Sequence, residues 1–320
     1  MRYKKCFAAF LAASLFAVVS LAGVAAAKPL IISIAAGGTG GTYYPMSAAI
    51  AEIITKEVKG VKNATAQVTG ASFENVRLLQ KGYCQFSTTN AASVYAGYHG
   101  EKPFKSKLTK LRTICWGHGS DLHLIALASS GIKTVDDMKG KRFSAGSPGS
   151  GSEIEVKRLL ETNGLSYKNF KIEFLSFAGS VNALKDGRID VGNVNAGIPV
   201  ASVMDLAIVK DINIIPIPDK WAENLLAKYP YYDNFTIPAK TYKGIDKDVK
   251  TLTSPATFSC SSDVPADIVY QVTKALYNKL PWLTENIHQS FKRWKFDPSV
   301  KRLAPLHPGA AKFYKEIGKM

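Results

Sequence analysis

Apolar residues recur in short continuous runs, and each run is followed by a stretch in which they return at helical spacing. The run at residues 30–35 precedes one helix face, which consists of Met46, Ile50, Ile53, Ile54 and Val58. The run at residues 141–145 precedes a second helical stretch at residues 152–163, and Gly164 is suited to end it. Each run therefore predicts a strand that leads into a helix.

The elements that follow the two runs occur in the same order: loop, helix, strand, helix and strand. In the first half, strands are predicted at residues 64–68 and 83–88, and the helix between them can begin at the cap Ser72 and end at Gly82. The corresponding features of the second half are strands at 171–174 and 189–194, the cap Ser180 and the terminal Gly187. Strands that alternate with helices predict a mostly parallel sheet in each half.

Two further apolar stretches, at residues 122–127 and 256–259, are predicted to cross from one half to the other. The chain is long enough to form two modest domains, and we expect a monomer. The sequence thus predicts an α/β protein whose two lobes, with mostly parallel sheets, are joined by crossing hinge strands. Lobe 1 is expected to contain residues 28–125 and 256–320, and lobe 2 residues 126–255.

Each half has a glycine-rich loop between its first strand and its first helix: AGGTGGTYYP at residues 36–45 and AGSPGSGSE at residues 145–153. Glycine lets the backbone approach a ligand closely, and the free N–H groups at the start of a helix favour an anion. The ligand residues predicted in these loops are Thr39, Gly40, Gly41, Thr42, Tyr43, Gly149, Ser150, Gly151 and Ser152. Because ligands of parallel sheets bind beyond the carboxyl ends of the strands, the loops predict a binding cleft between the lobes.

An Asn-Ala pair follows a predicted strand in each half, at Asn90 and at Asn195. Both are expected at the same edge of the sheet as the loops, and an amide can both donate and accept hydrogen bonds. We therefore add Asn90, Asn195, Ser72 and Asn75 to the predicted ligand-binding residues, with a purely capping role as the alternative for Ser72. The loops contain no lysine, which favours a carboxylate ligand over a phosphate.

The sequence contains no complete nucleotide-binding or hydrolase motif. Residues 146–151 have the glycine spacing of a phosphate-binding loop, but Ser152 stands where that loop needs a lysine. Three titratable residues, His118, Asp121 and His123, lie at or near a predicted crossing segment. They could form the acid–base group of a secreted enzyme, or they could be ordinary structural residues. No nucleophile, metal motif or cofactor motif accompanies them, so we expect neither catalysis nor a bound metal or cofactor.

Residues 1–27 have the pattern of a cleaved secretory signal peptide. Arg2, Lys4 and Lys5 precede an apolar stretch at residues 7–24, and three alanines follow at residues 25–27. A membrane anchor is the alternative, since the apolar stretch is almost long enough to span a bilayer. Cleavage predicts a periplasmic protein whose formal net charge falls from +16 by these three charges to +13. The lysines are scattered, so nucleic acid is not an expected partner.

Three cysteines remain after cleavage, Cys84, Cys115 and Cys260, which allow at most one intramolecular disulfide. Cys115 lies just before one predicted crossing segment and Cys260 just after the other. A disulfide between these two cysteines is therefore one hypothesis.

Five segments together resemble the TAXI family of TRAP-transporter solute-binding proteins. They are GGTGGTYYP at 37–45, VTGASFENVRLL at 68–79, GSPGSGS at 146–152, NAGIP at 195–199 and LHPGAAKFY at 306–314. The resemblance implies a bilobed periplasmic-binding-protein fold that closes on its solute by hinge motion. It also implies that the protein delivers a small carboxylate, such as an organic acid or an acidic amino acid, to the membrane subunits of a TRAP transporter.

Two other functions stay open. The same fold can serve an ABC importer, which differs in its membrane partner, and a secreted enzyme can use the same cleft. The sequence does not identify the ligand.

Overall fold

A computed structural model describes residues 29–320, which form one ten-stranded sheet and the helices that pack against it. The strands are β1 (Leu30–Ala35), β2 (Val61–Gln67), β3 (Phe86–Asn90), β4 (Leu111–Leu127), β5 (Arg142–Ser144), β6 (Lys171–Glu173), β7 (Val191–Ala196), β8 (Ile212–Ile215), β9 (Asp233–Ile237) and β10 (Val249–Ser261). Their order is β2-β1-β3-β10-β4-β7-β5-β6, with β8 beside β4 and β9 beside β10. The predicted signal peptide at residues 1–27 lies outside the described residues.

The α-helices of the described residues alternate with the strands over most of the chain. They are Tyr43–Glu57, Ser72–Lys81, Ala91–His99, Gly151–Thr162, Phe177–Lys185, Ala201–Val209, Asp219–Lys228, Ala266–Asn286 and Pro308–Glu316. None of these helices between residues 29 and 320 is both long enough and apolar enough to cross a membrane.

The two lobes share the long strands β4 and β10, which run antiparallel to each other. One edge of β10 pairs with β3 at residues 256–260 in lobe 1 and with β9 at residues 249–253 in lobe 2. Strand β4 pairs with β7 of lobe 2 at residues 121–125. The outer strands β2-β1-β3 and β6-β5-β7 are parallel within each lobe. The predicted α/β bilobed fold with crossing strands is confirmed, and the exact lobe boundaries stay predictions.

The helix faces predicted from apolar spacing form the cores of the lobes. Met46, Ile50, Ile53, Ile54 and Val58 are all buried and belong to one cluster with Phe86 and Phe258 of the sheet. In lobe 2, Val194 of β7 packs with Leu206 of the following helix. Burial of apolar area on this scale is the main favourable contribution to folding, so the loops at the strand ends rest on rigid platforms.

Several helix starts differ from the predicted positions. The first long helix begins at Tyr43, inside the segment 36–45 that was assigned to the glycine-rich loop, because the helical backbone already begins around Thr42 (φ −83°, ψ −25°). Ser72 is the first helical residue and not the cap, which is Ala71 with φ 70°. Ser176 caps the helix predicted to begin at Ser180, since its Oγ accepts a hydrogen bond from Gly179 N at 3.1 Å.

The hypothesis of a disulfide is wrong, because Cys84, Cys115 and Cys260 are free and buried. In the ladder between the crossing strands, Cys115 stands opposite Phe258 and Cys260 stands opposite Arg112. The two cysteines are therefore offset along the strands instead of facing each other.

Candidate functional site

Two adjoining cavities lie between the lobes, at the carboxyl ends of the parallel strands. The outer cavity has a volume of about 270 Å³ and the inner cavity about 40 Å³. Gly38, Ala71, Ser152 and Phe177 line both, so the two cavities form one continuous cleft. This is the place where ligands of parallel α/β sheets bind, and both glycine-rich loops reach it.

The first glycine-rich loop touches lobe 2 directly. A Cβ on Gly40 would lie 3.1 Å from Ala178 N, and one on Gly41 would lie 3.2 Å from the Phe177 ring. Across the same gap, Ser202 Oγ donates a hydrogen bond to Gly40 O at 3.0 Å. The glycines are thus needed for close approach of the two lobes, and the cleft is closed in this structure.

The second loop supplies the start of the helix Gly151–Thr162. Ser150 caps this helix by accepting a hydrogen bond from Glu153 N at 3.2 Å. A Cβ on Gly151 would lie 2.6 Å from Asn90 Nδ2, so lobe 1 packs closely here too. The Glu153 carboxylate accepts a hydrogen bond from the Tyr167 hydroxyl at 2.6 Å, which directs it to a partner within lobe 2.

Thr42 joins three parts of the chain through its hydroxyl oxygen. This Oγ1 accepts a hydrogen bond from Gly197 N at 3.2 Å and lies 2.9 Å from Nε2 of the buried His118. Trp294 Nε1 donates to His118 Nδ1 at 3.4 Å, and burial lowers the pKa of His118 to about 3. The neutral ring therefore carries its proton on Nε2 and donates it to Thr42. Thr42 Oγ1 then accepts twice, and its own hydrogen is free to point at a ligand in the inner cavity.

Asn90 faces the inner cavity with its amide nitrogen. Its Oδ1 accepts a hydrogen bond from Ser93 N at 3.0 Å and so caps the helix Ala91–His99. The Ser72 hydroxyl holds the backbone of the same residue, because Asn90 N donates to Ser72 Oγ at 3.2 Å. Asn90 Nδ2 is left as a donor at the wall of the cavity.

Asn195 lines the inner cavity from lobe 2 and contacts a buried acid. Asn195 Nδ2 donates a hydrogen bond to Glu155 Oε2 at 2.9 Å, and Glu155 is fully buried. Burial raises the pKa of Glu155 to about 8. Asn195 Oδ1, Glu155 Oε1 and the Tyr43 hydroxyl have no hydrogen-bond partner among the residues that the structure describes.

The structure brings most of the predicted ligand residues to this cleft. The predicted residues that line it are Thr39, Gly40, Gly41, Thr42, Tyr43, Ser72, Asn90, Ser150, Gly151, Ser152 and Asn195. Asn75 does not line it: its Nδ2 donates to Ala36 O at 2.6 Å and to Thr88 O at 2.9 Å, which fixes the start of the first loop. Gly149 does not line it either, and its φ of 67° indicates a role in the exposed turn.

Several lining residues were missed by the sequence reasoning. They are the segments at 68–71 and 176–178 together with Gly37, Gly38, Ser120, Ser147 and Ala196. Residues 176–178 follow β6, so the rule that ligands bind beyond parallel strand ends would have found them. Two buried residues contact the lining residues without lining the cleft: His118 contacts Thr42, and Glu155 contacts Asn195. No pattern in the sequence marks either of them as part of the site.

The residues considered for acid–base catalysis have structural partners. Asp121 Oδ2 accepts from Arg293 Nη1 at 2.6 Å, and Asp121 Oδ1 accepts from Thr253 Oγ1 at 2.7 Å. His123 lies between main-chain carbonyl oxygens and the Tyr242 hydroxyl. Asp121, His118 and His123 are all fully buried. Among the described residues, those that line the two cavities include no Lys, Arg, Asp or Glu.

Comparison with known proteins agrees with this architecture. The sequence model of the NMT1-like family matches residues 34–318. The alkanesulfonate-binding protein SsuA from Xanthomonas axonopodis pv. citri, solved with bound MOPS, is similar in structure, with a TM-score of 0.50 and 16% identity over 89% of this chain and 83% of that one. A protein from Bordetella bronchiseptica RB50 has a TM-score of 0.53 and 17% identity over 90% and 81% of the two chains. At these identities the likeness concerns the fold.

Proposed function

The chain belongs to the NMT1-like family, and on this basis we propose that it is a non-enzymatic receptor that captures a small organic anion between its lobes. The observation that carries the proposal is the closed cleft between two glycine-rich loops, whose walls, within residues 29–320, have neutral donors and no charged side chain. The signal-peptide pattern of residues 1–27 supports a location in the periplasm.

The proposed ligand has an oxyanion head group, with a carboxylate as the first choice. The N–H groups that open the helix Gly151–Thr162 lie at its positive end, and Thr42 and Asn90 add donors from lobe 1. A sulfonate presents the same oxygen chemistry, and the structurally similar SsuA protein binds alkanesulfonates. The outer cavity of about 270 Å³ is at the small end for ligand sites, which favours a small solute.

We propose an ABC importer as the membrane partner. The match to the NMT1-like family over residues 34–318 and the likeness to an alkanesulfonate-binding protein support this partner over a TRAP transporter. The glycine-rich segment at 37–45 is the observation that keeps the TRAP transporter as the second candidate. The neighbouring genes separate the two, since an ABC importer needs an ATPase and a TRAP transporter does not.

A thermal-shift panel tests the function. We expect acetate, succinate or methanesulfonate to raise the unfolding temperature, because a ligand at about 100 times its Kd stabilises the folded state by about 2.7 kcal/mol. Glucose and acetamide serve as neutral controls and should leave the unfolding temperature unchanged. Stabilisation by the neutral compounds without any response to the anions would contradict an anion receptor, and conversion of a bound acid to product would show an enzyme.

A further inference from the structure

The Glu155–Asn195 contact leaves two acceptor oxygens unpaired in a closed interior. Asn195 Nδ2 donates to Glu155 Oε2 at 2.9 Å, while Asn195 Oδ1 and Glu155 Oε1 have no partner within residues 29–320. An ionised carboxylate without full compensation is costly in a buried position, and so is an unpaired amide oxygen. Asn195 lines the inner cavity, and in this arrangement the end of its amide that is not bound to Glu155 is an acceptor, whereas an anion needs a donor.

A proton on Glu155 removes this conflict. The oxygen and nitrogen of an asparagine amide are assigned from the hydrogen-bond network, so the amide of Asn195 can be turned over without moving the side chain. Glu155 Oε2–H then donates to Asn195 Oδ1 over the same short contact, and Asn195 Nδ2 faces the cavity. One unpaired acceptor disappears, and the cavity wall gains a donor.

The charged and titratable groups around Glu155 favour the protonated form. The carboxylate of Asp121, on β4, raises the pKa of Glu155 by repulsion between like charges. Asp121 itself is paired to Arg293. Arg158, one helical turn away, opposes this effect, but its guanidinium donates to Tyr232 at 3.4 Å and lies over the Tyr229 ring at 4.7 Å. Tyr43 and Tyr232 complete the surroundings as phenols whose own pKa values burial raises.

We propose that Glu155 is a protonated positioning residue, whose O–H turns Asn195 into a hydrogen-bond donor for the oxyanion of the ligand. The proton comes from solvent and returns to it when Glu155 ionises at higher pH. This inference rests on the proposed function for the ligand, but the protonation state of Glu155 can be measured without any ligand. Glu155 thus makes the affinity for an anion depend on pH although the described residues that line the cavity include no Asp, Glu, His, Lys or Arg.

Infrared difference spectroscopy tests the protonation. At about pH 6, exposed carboxyl groups are ionised, so a carbonyl stretching band of a protonated carboxylic acid must come from a perturbed group. We expect this band in the wild-type protein, its loss on titration through pH about 8, and its absence from the Glu155→Gln variant at every pH. Glu161→Gln, an exposed position on the same helix, is the matched control and should retain the band.

Binding of acetate and of methanesulfonate, measured by calorimetry, tests the consequence. Both probes keep their charge across the range, so a pH dependence belongs to the protein. Above pH about 8 we expect Kd to rise by about tenfold per pH unit in the wild type and in Glu161→Gln. Glu155→Gln should flatten the profile, because a glutamine amide donates to Asn195 at every pH.

The outcomes separate the two proposals. If the band is present but no anion binds, the receptor function fails and the protonation of Glu155 stands. If acetate or methanesulfonate binds while the wild type shows no such band, or while Glu155→Gln keeps the wild-type pH profile, the role of Glu155 is overturned.

Discussion

At the scale of single residues, Asn90 uses the two ends of one amide for two purposes. Its oxygen caps a helix through Ser93 N, and its nitrogen faces the inner cavity. Asn90→Leu should lower the free energy of unfolding by about 1 kcal/mol through loss of the cap and should also abolish anion binding. Asn90→Asp keeps the capping oxygen but places a carboxylate at a buried position of the cavity wall, so calorimetry should show loss of anion binding, and urea denaturation should show a loss of stability that comes from the buried charge and not from the cap. Wild-type affinity in both variants would remove Asn90 from the site.

The same scale shows where sequence reasoning reaches its limit. Asn75 and Asn90 are both amides near a strand end, and only the fold shows that Asn75 is saturated by carbonyl oxygens while Asn90 keeps a free donor. Glu155 lies in a polar stretch of an amphipathic helix, where a glutamate normally faces solvent. Glu155 is buried because residues distant in sequence pack around it. Asn195 is 40 positions away in the chain, and Asp121 is more than 30 positions away.

At the scale of elements, the contact between the first glycine-rich loop and the helix Phe177–Lys185 depends on the absence of a side chain at Gly40. Gly40→Val would place a branched side chain against the backbone of Ala178. We expect the lobes to fold and the anion affinity to be lost, because the cleft can no longer close. Ala48→Val adds a similar volume at an exposed position of the neighbouring helix and is the matched control.

Thermal shifts with the anion panel and urea denaturation without ligand give the two readouts for these variants. Unchanged affinity in Gly40→Val would show that the loop contact is not part of the binding mechanism. A comparable loss of affinity in Ala48→Val would point to a general effect of added volume on the lobe.

The elements themselves were predictable where the local pattern was strong. Alternating apolar runs and glycine stops placed most strands and helices within a few residues, since Gly82 and the buried helix faces follow from local chemistry. Strand β9 was not indicated, because the segment Asp233–Ile237 has mostly polar or exposed residues and is a strand only through pairing with β10. The two crossing strands were predicted at the right positions, but the predicted segments 122–127 and 256–259 are too short. In the structure, β4 and β10 continue through both lobes.

At the scale of the whole molecule, the repeat of two similar halves was enough to predict the bilobed fold. It was not enough to predict how the halves meet, because those contacts join residues far apart in sequence. Gly197 N donates to Thr42 Oγ1, and Ser202 Oγ donates to Gly40 O, both across the cleft. Separation of the lobes must break both hydrogen bonds, so a ligand that bridges the lobes should stabilise the closed form.

Small-angle scattering tests this closure. The crossing strands β4 and β10 connect the lobes, and bending of a few residues there can open the cleft without disturbing either core. We expect the radius of gyration to decrease when an anion that binds in the thermal-shift panel is added. Gly40→Val should stay expanded with the same anion present, whereas Ala48→Val should contract as the wild type does. An unchanged radius of gyration at saturating anion would exclude hinge closure as the binding mechanism, because closure brings the lobes together and must make the molecule more compact.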